Sequence, residues 1–239
     1  MKVLVYTGFN DDKLFKEIGA LTSPSKLAYA IEHGYDFKCS RNFEGHDRHV
    51  SWFKIRRVLG LLPLYDWIFW TDADSLIMDQ HVTVQNLIDC VVDRPAEILL
   101  SHNKAPAPVL VPPLKEVDYI VSDGECSPCM GNFLIRNCQW SFDFLGRIWD
   151  NEDHFHGGLY DQGAQDDIFA TDPEAMTHVK FLPKRILTPG FHEYRKGDFM
   201  VHVSGCDSLL KYCLLDKYVS EVKSAEKSTF IRVRPKTEI

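Results

Sequence analysis

Two aspartates, Asp72 and Asp74, end an apolar run in the segment WIFWTDADSLI, residues 67–77. The run is typical of a strand that is buried on both faces, as in a parallel sheet. A buried carboxylate costs several kcal/mol unless it is paired or bound to a metal, and here two carboxylates crowd one strand end. The spacing therefore indicates a chemical role for the pair.

Three roles for the acidic pair are open from these residues alone. Asp74 or Ser75 could cap the N-terminus of a following helix. The two carboxylates could hold a hard divalent cation, Mn²⁺ or Mg²⁺, against a diphosphate. Alternatively, Asp72 could be the nucleophile of a haloacid-dehalogenase-like phosphatase, whose motif is also a strand that ends in Asp-x-Asp. That motif normally lies on the first core strand, which is not the case here, although Asp166 and Asp167 could imitate the late acidic motif of those phosphatases.

Further candidate ligands are a histidine and a cysteine pair. His202 lies in the apolar segment FMVHVS, where a lone histidine is more often a hydrogen-bonded core residue than a metal ligand. Cys126 and Cys129 have the spacing of zinc ligands, but no second cysteine or histidine pair has a matching spacing. We interpret the two cysteines as part of a loop that shapes a ligand pocket. The segment DHFHGGLYD, residues 153–161, could form a metal site from its histidines and aspartates, but its glycines favour a second loop.

Composition and charge exclude several classes of protein. The formal net charge of -7 disfavours a nucleic-acid-binding protein, which needs a basic face. The cysteines number 7 and are scattered, which disfavours a disulfide framework and favours a reducing compartment. The N-terminal segment MKVLVYTGFNDDK has too short an apolar stretch for a signal peptide, and no run reaches the length of a membrane span. We therefore expect a soluble, cytoplasmic protein.

The elements that must position the acidic pair form an alternating pattern. The β-rich apolar segment KVLVYTGF, residues 2–9, predicts a first strand. It precedes a helix that we expect to begin at a cap, Ser23 or Ser25, and to run to His33 before a second strand. The segment SWFKIRRVLGLLPLYDW, residues 51–67, predicts a helix that Pro63 ends, and the strand with the acidic pair follows. This β-α-β-α-β order predicts a parallel sheet with crossover helices.

The second half of the chain predicts further strands around one helix pair. We expect strands at 96–102, 131–137, 179–187 and 199–204, helices at 140–150 and near Asp166, and a proline-rich loop at 103–119. No repeat or linker is evident, so we expect a single domain at 1–219. The charged tail at 220–239 is expected to be an edge strand or frayed.

Four segments, in this order, resemble nucleotide-sugar glycosyltransferases of the GT-A fold. They are WFKIRRVLGLLPLYDWIFWTDADSLIMD, GNFLIRNCQWSFDFL, YDQGA and FMVHVSGC. More narrowly, the chain resembles glycosyltransferase family 34, which includes plant xyloglucan xylosyltransferases and fungal galactosyl- and mannosyltransferases. Its short loops are nearer to compact bacterial or viral forms. The resemblance implies an α/β fold with a Rossmann-like mixed, mostly parallel sheet flanked by helices.

The resemblance also implies an activity and its cofactors. It implies a metal-dependent retaining enzyme that moves a sugar from a nucleotide sugar, most often a UDP-sugar, to a glycan hydroxyl. The metal, Mn²⁺ or Mg²⁺, would be held by Asp72, Asp74 and His202. Asp161 and Gln162 would act at the catalytic centre, with Asp161 either a covalent nucleophile or a positioning group. The donor would be held by Asp72 and by six further residues, Tyr6, Thr7, Gly8, Lys54, Gly131 and Gly205.

One departure from the family pattern concerns the diphosphate. Related enzymes often carry a lysine shortly after the glycine that follows the metal-binding histidine, whereas this chain has Asp207 there. Either Lys211, Lys184 or Lys196 substitutes for it, or the leaving group is held chiefly by metal. A sugar-binding module without catalysis is the third class that the sequence leaves open, beside the transferase and the phosphatase.

Overall fold

The computed structural model describes residues 1–10, 12–41, 47–101, 106–124, 126–157 and 159–232, and from residue 224 onward only the backbone is described. Its strands and helices are the following: β1 Val3–Gly8, α1 Lys13–Glu32, β2 Asp36–Ser40, α2 Phe53–Leu61, β3 Trp67–Thr71, β4 Ser75–Ile77, α3 Val84–Asp89, β5 Glu97–Leu100, β6 Ala107–Leu110, β7 Tyr119–Ser122, β8 Cys129–Arg136, α4 Gln139–Trp149, α5 Asp161–Thr171, β9 Val179–Leu182, α6 Lys184–Leu187, β10 Met200–His202 and α7 Ser208–Arg232.

The central sheet has six strands in the order β2-β1-β3-β8-β7-β9 within the described residues. The pairs of β1 with β2, β1 with β3 and β7 with β9 are parallel, whereas β8 is antiparallel to both of its neighbours. Helices lie on both faces. The predicted α/β class, with a mixed and mostly parallel sheet in a single domain, is confirmed.

The strands bury both faces because alternate side chains enter different cores. In β3, Ile68 and Trp70 pack into one core with α2, α4 and α5, while Trp67 and Phe69 pack into a second core with residues of α1 and α3. All five residues of β3 are buried, as the apolar run predicts. The strand that carries the acidic pair is therefore fixed from both sides.

Two short strands bring the distant histidine segment to the acidic pair. β10 is antiparallel to β4, and His202 lies opposite Ser75 in this pairing. The backbone N–H of Val203 donates to the carbonyl of Asp74 at 2.9 Å. The sequence indicates a strand at 199–204, but pairing over a separation this long in the chain is set by tertiary packing.

The first helix is longer than the cap pattern predicts, and this expectation is wrong. α1 begins at Lys13, where the carboxylate of Asp12 accepts from the N–H groups of Leu14 and Phe15 and so caps the helix. Pro24 lies inside the helix. The hydroxyl groups of Ser23 and Ser25 donate to backbone carbonyls of the preceding turn instead of capping a new helix.

Three later expectations are also corrected. Residues 107–110 of the expected proline-rich loop form β6, an edge strand that pairs with β5 in a separate hairpin. Of the strand expected at 179–187, only 179–182 is extended, because Pro183 is followed by the short helix α6. The expected tail boundary at 219 falls inside α7, so residues 220–232 are helical and not an edge strand. Residues 233–239 lie outside the described part. None of the described helices is long and apolar enough to span a membrane.

Candidate active site

A cleft of about 440 Å³ opens at the carboxyl ends of β1 and β3. Ligands in α/β proteins bind at this edge of the sheet, because loops that follow the strands converge there. The lining residues come from six parts of the chain: Gly8, Phe9, Asn10 and Phe15; His49, Val50, Ser51 and Lys54; Trp70, Asp72, Ala73 and Asp74; Cys129, Met130 and Gly131; Leu159, Asp161 and Gln162; and His202 and Ser204. The four resembling segments of the sequence therefore meet at one cavity.

Asp72, Asp74 and His202 converge as predicted. Within the described residues, one carboxylate oxygen from each aspartate and one imidazole nitrogen lie within 4.8 Å of one another. Asp72 follows β3 directly and its carbonyl accepts from the N–H of Ser75 at 3.1 Å, so a tight turn presents both carboxylates. The group is formed by the β3–β4 turn and the end of β10.

Asp74 is buried and carries two cationic partners. Its Oδ1 lies 3.4 Å from Nε2 of His202, and its Oδ2 accepts a hydrogen bond from Nζ of Lys211. Burial alone would raise the pKa of the Asp74 carboxyl, but His202 and Lys211 together hold this pKa below its usual range. Burial likewise opposes charge on His202, yet Asp74 and Cys129 raise its pKa to about 10. The carboxylate of Asp74 thus stabilises positive charge in its surroundings.

The donor set fits a divalent cation. Two carboxylates and one imidazole form a mixed oxygen and nitrogen set that suits Mn²⁺ somewhat better than Mg²⁺. Gly131 leaves room for the imidazole, because a Cβ atom there would lie 2.4 Å from Cε1 of His202. On the other side of the ring, Sγ of Cys129 lies 3.9 Å from Nδ1 of His202. The ring is held with Nε2 toward the carboxylates.

Two residues that the sequence analysis missed hold Asp72. Nε1 of Trp70 donates to Oδ1 of Asp72 at 2.7 Å, and Nζ of Lys26, a fully buried lysine of α1, donates to the Asp72 carbonyl at 2.6 Å and to Oγ1 of Thr7 at 3.1 Å. Burial lowers the pKa of Lys26 to about 8, against the opposing effect of Asp72 and Asp74. Trp70 could have been found from the strand alternation, since residues two apart share a face. Lys26 left no comparable signal.

Lys54 and Asp161 form a buried ion pair beside the acidic motif. Nζ of Lys54 lies 3.0 Å from Oδ2 of Asp161 and 3.6 Å from Oδ1 of Asp72, and it donates to the carbonyl of Met130 at 3.0 Å. Burial opposes the charge of Lys54, but Asp161 and Asp72 outweigh it and raise its pKa. The predicted cleft position of Lys54 agrees with this placement. Its ammonium joins the acidic motif to α5.

Hydrogen bonds join α5 to residues 127–130, which form one wall of the cleft. Oε1 of Gln162 accepts from the N–H of Met130 at 3.2 Å, and Nε2 of Gln165 donates to the carbonyl of Pro128 at 2.9 Å. Asp166 accepts from Oγ of Ser127 at 2.7 Å. The predicted pair Asp161 and Gln162 therefore begins a helix whose next turn fixes the 127–130 segment. Cys129 lies on this wall, whereas Cys126 is exposed.

Several expected donor contacts lie elsewhere. Tyr6 is fully buried, with its hydroxyl group 2.7 Å from Oγ of Ser40, and Thr7 is fully buried against Lys26, so neither lines the cleft. Side chains alternate along a strand, and only the end of β1, at Gly8, reaches the cavity. Gly205 has a φ of 69°, which suits glycine, and turns the chain behind the cleft.

Of the three lysines expected near a diphosphate, one lies at the site. Lys211 is buried against Asp74, whereas Lys184 forms an ion pair with Glu193 at 2.8 Å and Lys196 is exposed outside the cleft. Lys211 lies on the first turn of α7, four residues after Asp207. The lysine at the site therefore lies farther along the chain than in the family pattern, and α7 brings it to Asp74.

The rim of the cleft carries a stacked ring pair next to Asp161. The rings of His49 and Tyr160 are parallel within 11°, with centroids 3.9 Å apart. Tyr160 immediately precedes α5 and has a φ of 52° and a ψ of -126°. A bulky residue with positive φ costs of order 1–3 kcal/mol and is typical of functional sites.

The sheet order and the group at its edge define the class of protein, a GT-A glycosyltransferase fold. A glycosyltransferase involved in the glycosylation of the major capsid of PBCV-1 has a similar crystal structure, with a TM-score of 0.61 and 14% sequence identity over 92% of this chain and 99% of that chain. The model of the galactosyl transferase GMA12/MNN10 family matches residues 2–213, and the chain belongs to this family. The expected membership of glycosyltransferase family 34 is confirmed.

Two curated fungal relatives match most of the chain. The probable alpha-1,6-mannosyltransferase MNN10 of Saccharomyces cerevisiae is 24% identical in an alignment of 220 positions that covers 80% of this chain and 56% of the relative. An alpha-1,2-galactosyltransferase of Schizosaccharomyces pombe is 26% identical in an alignment of 249 positions that covers 87% of this chain and 64% of the relative. The chain thus spans between about half and two thirds of the length of these relatives.

Proposed function

We propose that the chain is a metal-dependent, retaining glycosyltransferase that transfers a sugar from a UDP-sugar to a glycan hydroxyl. The observation that carries this proposal is the convergence of Asp72, Asp74 and His202 at the cleft of a chain that belongs to a glycosyltransferase family. Glycosyl transfer from a nucleotide sugar needs positive charge where the diphosphate leaves. Retention and the UDP donor are inferred from the resemblance to the family, and the relatives of this chain include galactosyl- and mannosyltransferases.

The nucleotide-sugar donor would be held by the ends of the strands and by the group of Asp72, Asp74 and His202. A cation bound by Asp72, Asp74 and His202, Mn²⁺ or Mg²⁺, would supply the charge that stabilises the leaving diphosphate. Lys211 holds Asp74 in place and adds a nearby ammonium. Gly8 lets the backbone of β1 approach the nucleotide closely, because it has no side chain.

Calorimetry with UDP tests the metal dependence. We expect binding of UDP in the presence of Mn²⁺ and little binding in EDTA, with Asp74→Asn and His202→Ala abolishing the difference. Arg185→Ala is a matched control, because this arginine pairs with Asp198 on the surface outside the cleft. Equal UDP affinity with and without the metal would reject the cation site.

The surroundings of Asp161 and Gln162 favour a role in positioning the sugar and the acceptor, and they disfavour a covalent sugar–enzyme intermediate. Asp161 is only 3% exposed and paired with Lys54, so its carboxylate has little freedom to attack an anomeric carbon. In the alternative same-face reaction, a leaving phosphate oxygen accepts the proton of the acceptor hydroxyl group. Asp161 and Gln162 then hold the two reactants in register.

The two mechanisms predict different losses for Asp161→Asn. A positioning role predicts a decrease in kcat of about 10²- to 10³-fold, with a larger decrease for Gln162→Ala and donor affinity nearly unchanged in both. Loss of a nucleophile would remove the only bond-forming group and abolish transfer. Mass spectrometry of the wild-type protein with donor alone is expected to find no glycosylated peptide that contains Asp161. A trapped adduct there would establish the covalent mechanism.

The phosphatase alternative has little support. Its late acidic motif would require Asp166 and Asp167 near Asp72, but Asp166 is buried against Ser127 and neither residue lines the cleft. Release of inorganic phosphate without an acceptor would favour that alternative. Donor binding without turnover on a broad acceptor panel would favour a binding module.

We also propose that the protein works in a reducing compartment, such as the cytoplasm. All 7 cysteines lie within the described residues and are free. Structural disulfides are typical of oxidising compartments. An unchanged melting temperature on addition of reductant is expected.

A further inference from the structure

The stacked pair of His49 and Tyr160 offers an exposed flat surface at the cleft rim. His49 is exposed and lines the cavity, while the ring of Tyr160 supports it from behind at a centroid distance of 3.9 Å. Leu159, 40% exposed, continues the apolar surface of this rim. These residues are separate from the group of Asp72, Asp74 and His202, and nothing in the proposed chemistry uses their rings.

The backbone is arranged to keep the Tyr160 ring at this position. Tyr160 is the one non-glycine residue with positive φ among the described residues. A glycine would adopt this conformation without strain, so the side chain is retained against a local preference. Since Asp161 is the next residue, the ring is held at a fixed place relative to the catalytic centre.

Polar atoms of Ser51 hold the His49 ring in place. Nδ1 of His49 lies 3.1 Å from Oγ of Ser51 and accepts a hydrogen bond from the backbone N–H of Ser51 at 3.3 Å. Partial burial lowers the pKa of His49, which favours the neutral ring. The surface beside Asp161 is therefore flat and uncharged, with one ring nitrogen, Nε2, left for a further hydrogen bond.

We infer that the His49–Tyr160 pair is the platform on which a pyranose ring of the glycan acceptor stacks, an inference that rests on the proposed function. The apolar C–H face of a sugar packs on an aromatic ring, and its hydroxyl groups seek hydrogen-bond partners at the edge. The pair lies next to Asp161 and Gln162, where the acceptor hydroxyl must arrive. The anionic donor is bound instead at the cation group.

The test is binding of two oligosaccharides, cellotetraose and α-1,6-mannotetraose, by saturation-transfer NMR and by acceptor kinetics. His49→Ala and Tyr160→Ala are expected to raise the Kd and the acceptor KM about 5- to 10-fold, of the order of one aromatic contact, with the donor KM unchanged. His49→Phe keeps the flat ring and is expected to stay within about 2-fold of wild type. Tyr212→Ala, at an exposed ring of α7 outside the cleft, is the matched control.

The outcomes separate this inference from the proposed function. If neither oligosaccharide contacts the wild-type protein, or if His49→Ala binds them as wild type does, the platform is rejected. If His49→Ala weakens UDP binding instead, the pair contacts the nucleobase and the inference is also rejected. Saccharide binding that depends on His49, in a protein that does not bind UDP with Mn²⁺, would reject the proposed UDP-sugar donor and leave the platform in place.

Discussion

The pair of Lys54 and Asp161 lies in the protein interior and at the edge of the candidate active site. Both side chains are almost completely buried, at 7% and 4% exposure. A buried ion pair adds little net stability, but the loss of one partner leaves the other charge without compensation. Removal of one partner should therefore lower the stability of the protein far more than the small net contribution of the ion pair would suggest.

We predict that Lys54→Met destabilises the protein by about 3–5 kcal/mol, because Asp161 is left buried without its cation. The double variant Lys54→Met/Asp161→Leu is expected to recover most of this loss. Urea unfolding followed by circular dichroism measures the free energy of unfolding for each variant. A double variant no more stable than Lys54→Met would show that the ion pair is not the cause.

At the residue scale, the sequence predicts that Asp72, Asp74 and His202 lie together, but it does not predict Lys26 and Trp70, the residues that hold Asp72. Asp72, Asp74 and His202 were identifiable because short segments around them resemble a family in the right order. Lys26 was not, because a lysine at that point of a helix is usually solvated, and only the packing of α1 on β1 and β3 buries it. The same burial explains why Tyr6 points into the core.

Among the elements, α5 has the most concentrated role. Its first turn supplies Asp161 and Gln162, and its second turn supplies Gln165 and Asp166, which hold the opposite wall. Asp166 is fully buried, and its second oxygen, Oδ2, accepts from the N–H of Ser101 at 2.8 Å. Burial raises the pKa of Asp166 to about 7 despite these donors. The wall is thus attached through a titratable group.

The pKa of Asp166 predicts a pH dependence of stability with a definite sign. Between pH 4 and 7 the folded protein holds a proton that the unfolded chain, with a pKa near 3.8, has released, so stability falls as the pH rises through this range. Asp166→Asn removes this proton uptake. Relative to wild type, its free energy of unfolding is therefore expected to rise by about 1–3 kcal/mol from pH 5 to pH 8.

Chemical unfolding at several pH values measures this effect. Asp143→Asn, at an exposed aspartate of α4, is the control and should follow the wild-type profile. Parallel curves for wild type and Asp166→Asn would contradict the assignment.

At the element scale, periodicity predicted the strands of the central sheet, and local signals misplaced the helix starts. The apolar runs of β1, β3 and β8 are long enough to identify as strands. Ser23 and Ser25 suggested a helix start, but tertiary packing continues α1 through Pro24. The strand expected at 96–102 contains β5, but its partner β6 was missed because prolines dominate an edge strand that pairs on one side only.

For the whole molecule, α1 and α7, the first and last helices of the described chain, pack together beside the site. A third core joins residues of α1, β4, β10 and α7, with Leu215 and Val201 fully buried in it. Lys211 and Leu215 are four residues apart on α7 and thus share a face. The packing that stabilises α7 also holds the ammonium at Asp74.

We predict that Leu215→Ala destabilises the fold by about 2–5 kcal/mol, as expected for a fully buried leucine. It should also weaken UDP binding in the presence of Mn²⁺, since Lys211 loses its support. Thermal unfolding and calorimetry measure the two effects. Leu209→Ala, at a leucine that is 74% exposed on the same helix, should stay within about 0.5 kcal/mol of wild type. A stability loss with unchanged UDP affinity would show that the packing of Leu215 does not support Lys211 at the site.

Lys26 gives the protein an internal reporter of opening. Its amine is fully enclosed between α1 and the end of β3, whereas surface lysines such as Lys196 face solvent. An acylating reagent can therefore modify Lys26 only during excursions in which this packing separates. The ratio of labelling at Lys26 to labelling at Lys196 becomes a measure of how often the strand end behind Asp72 is exposed. Ligands that close the cleft should slow this chemistry without changing the reactivity of the surface.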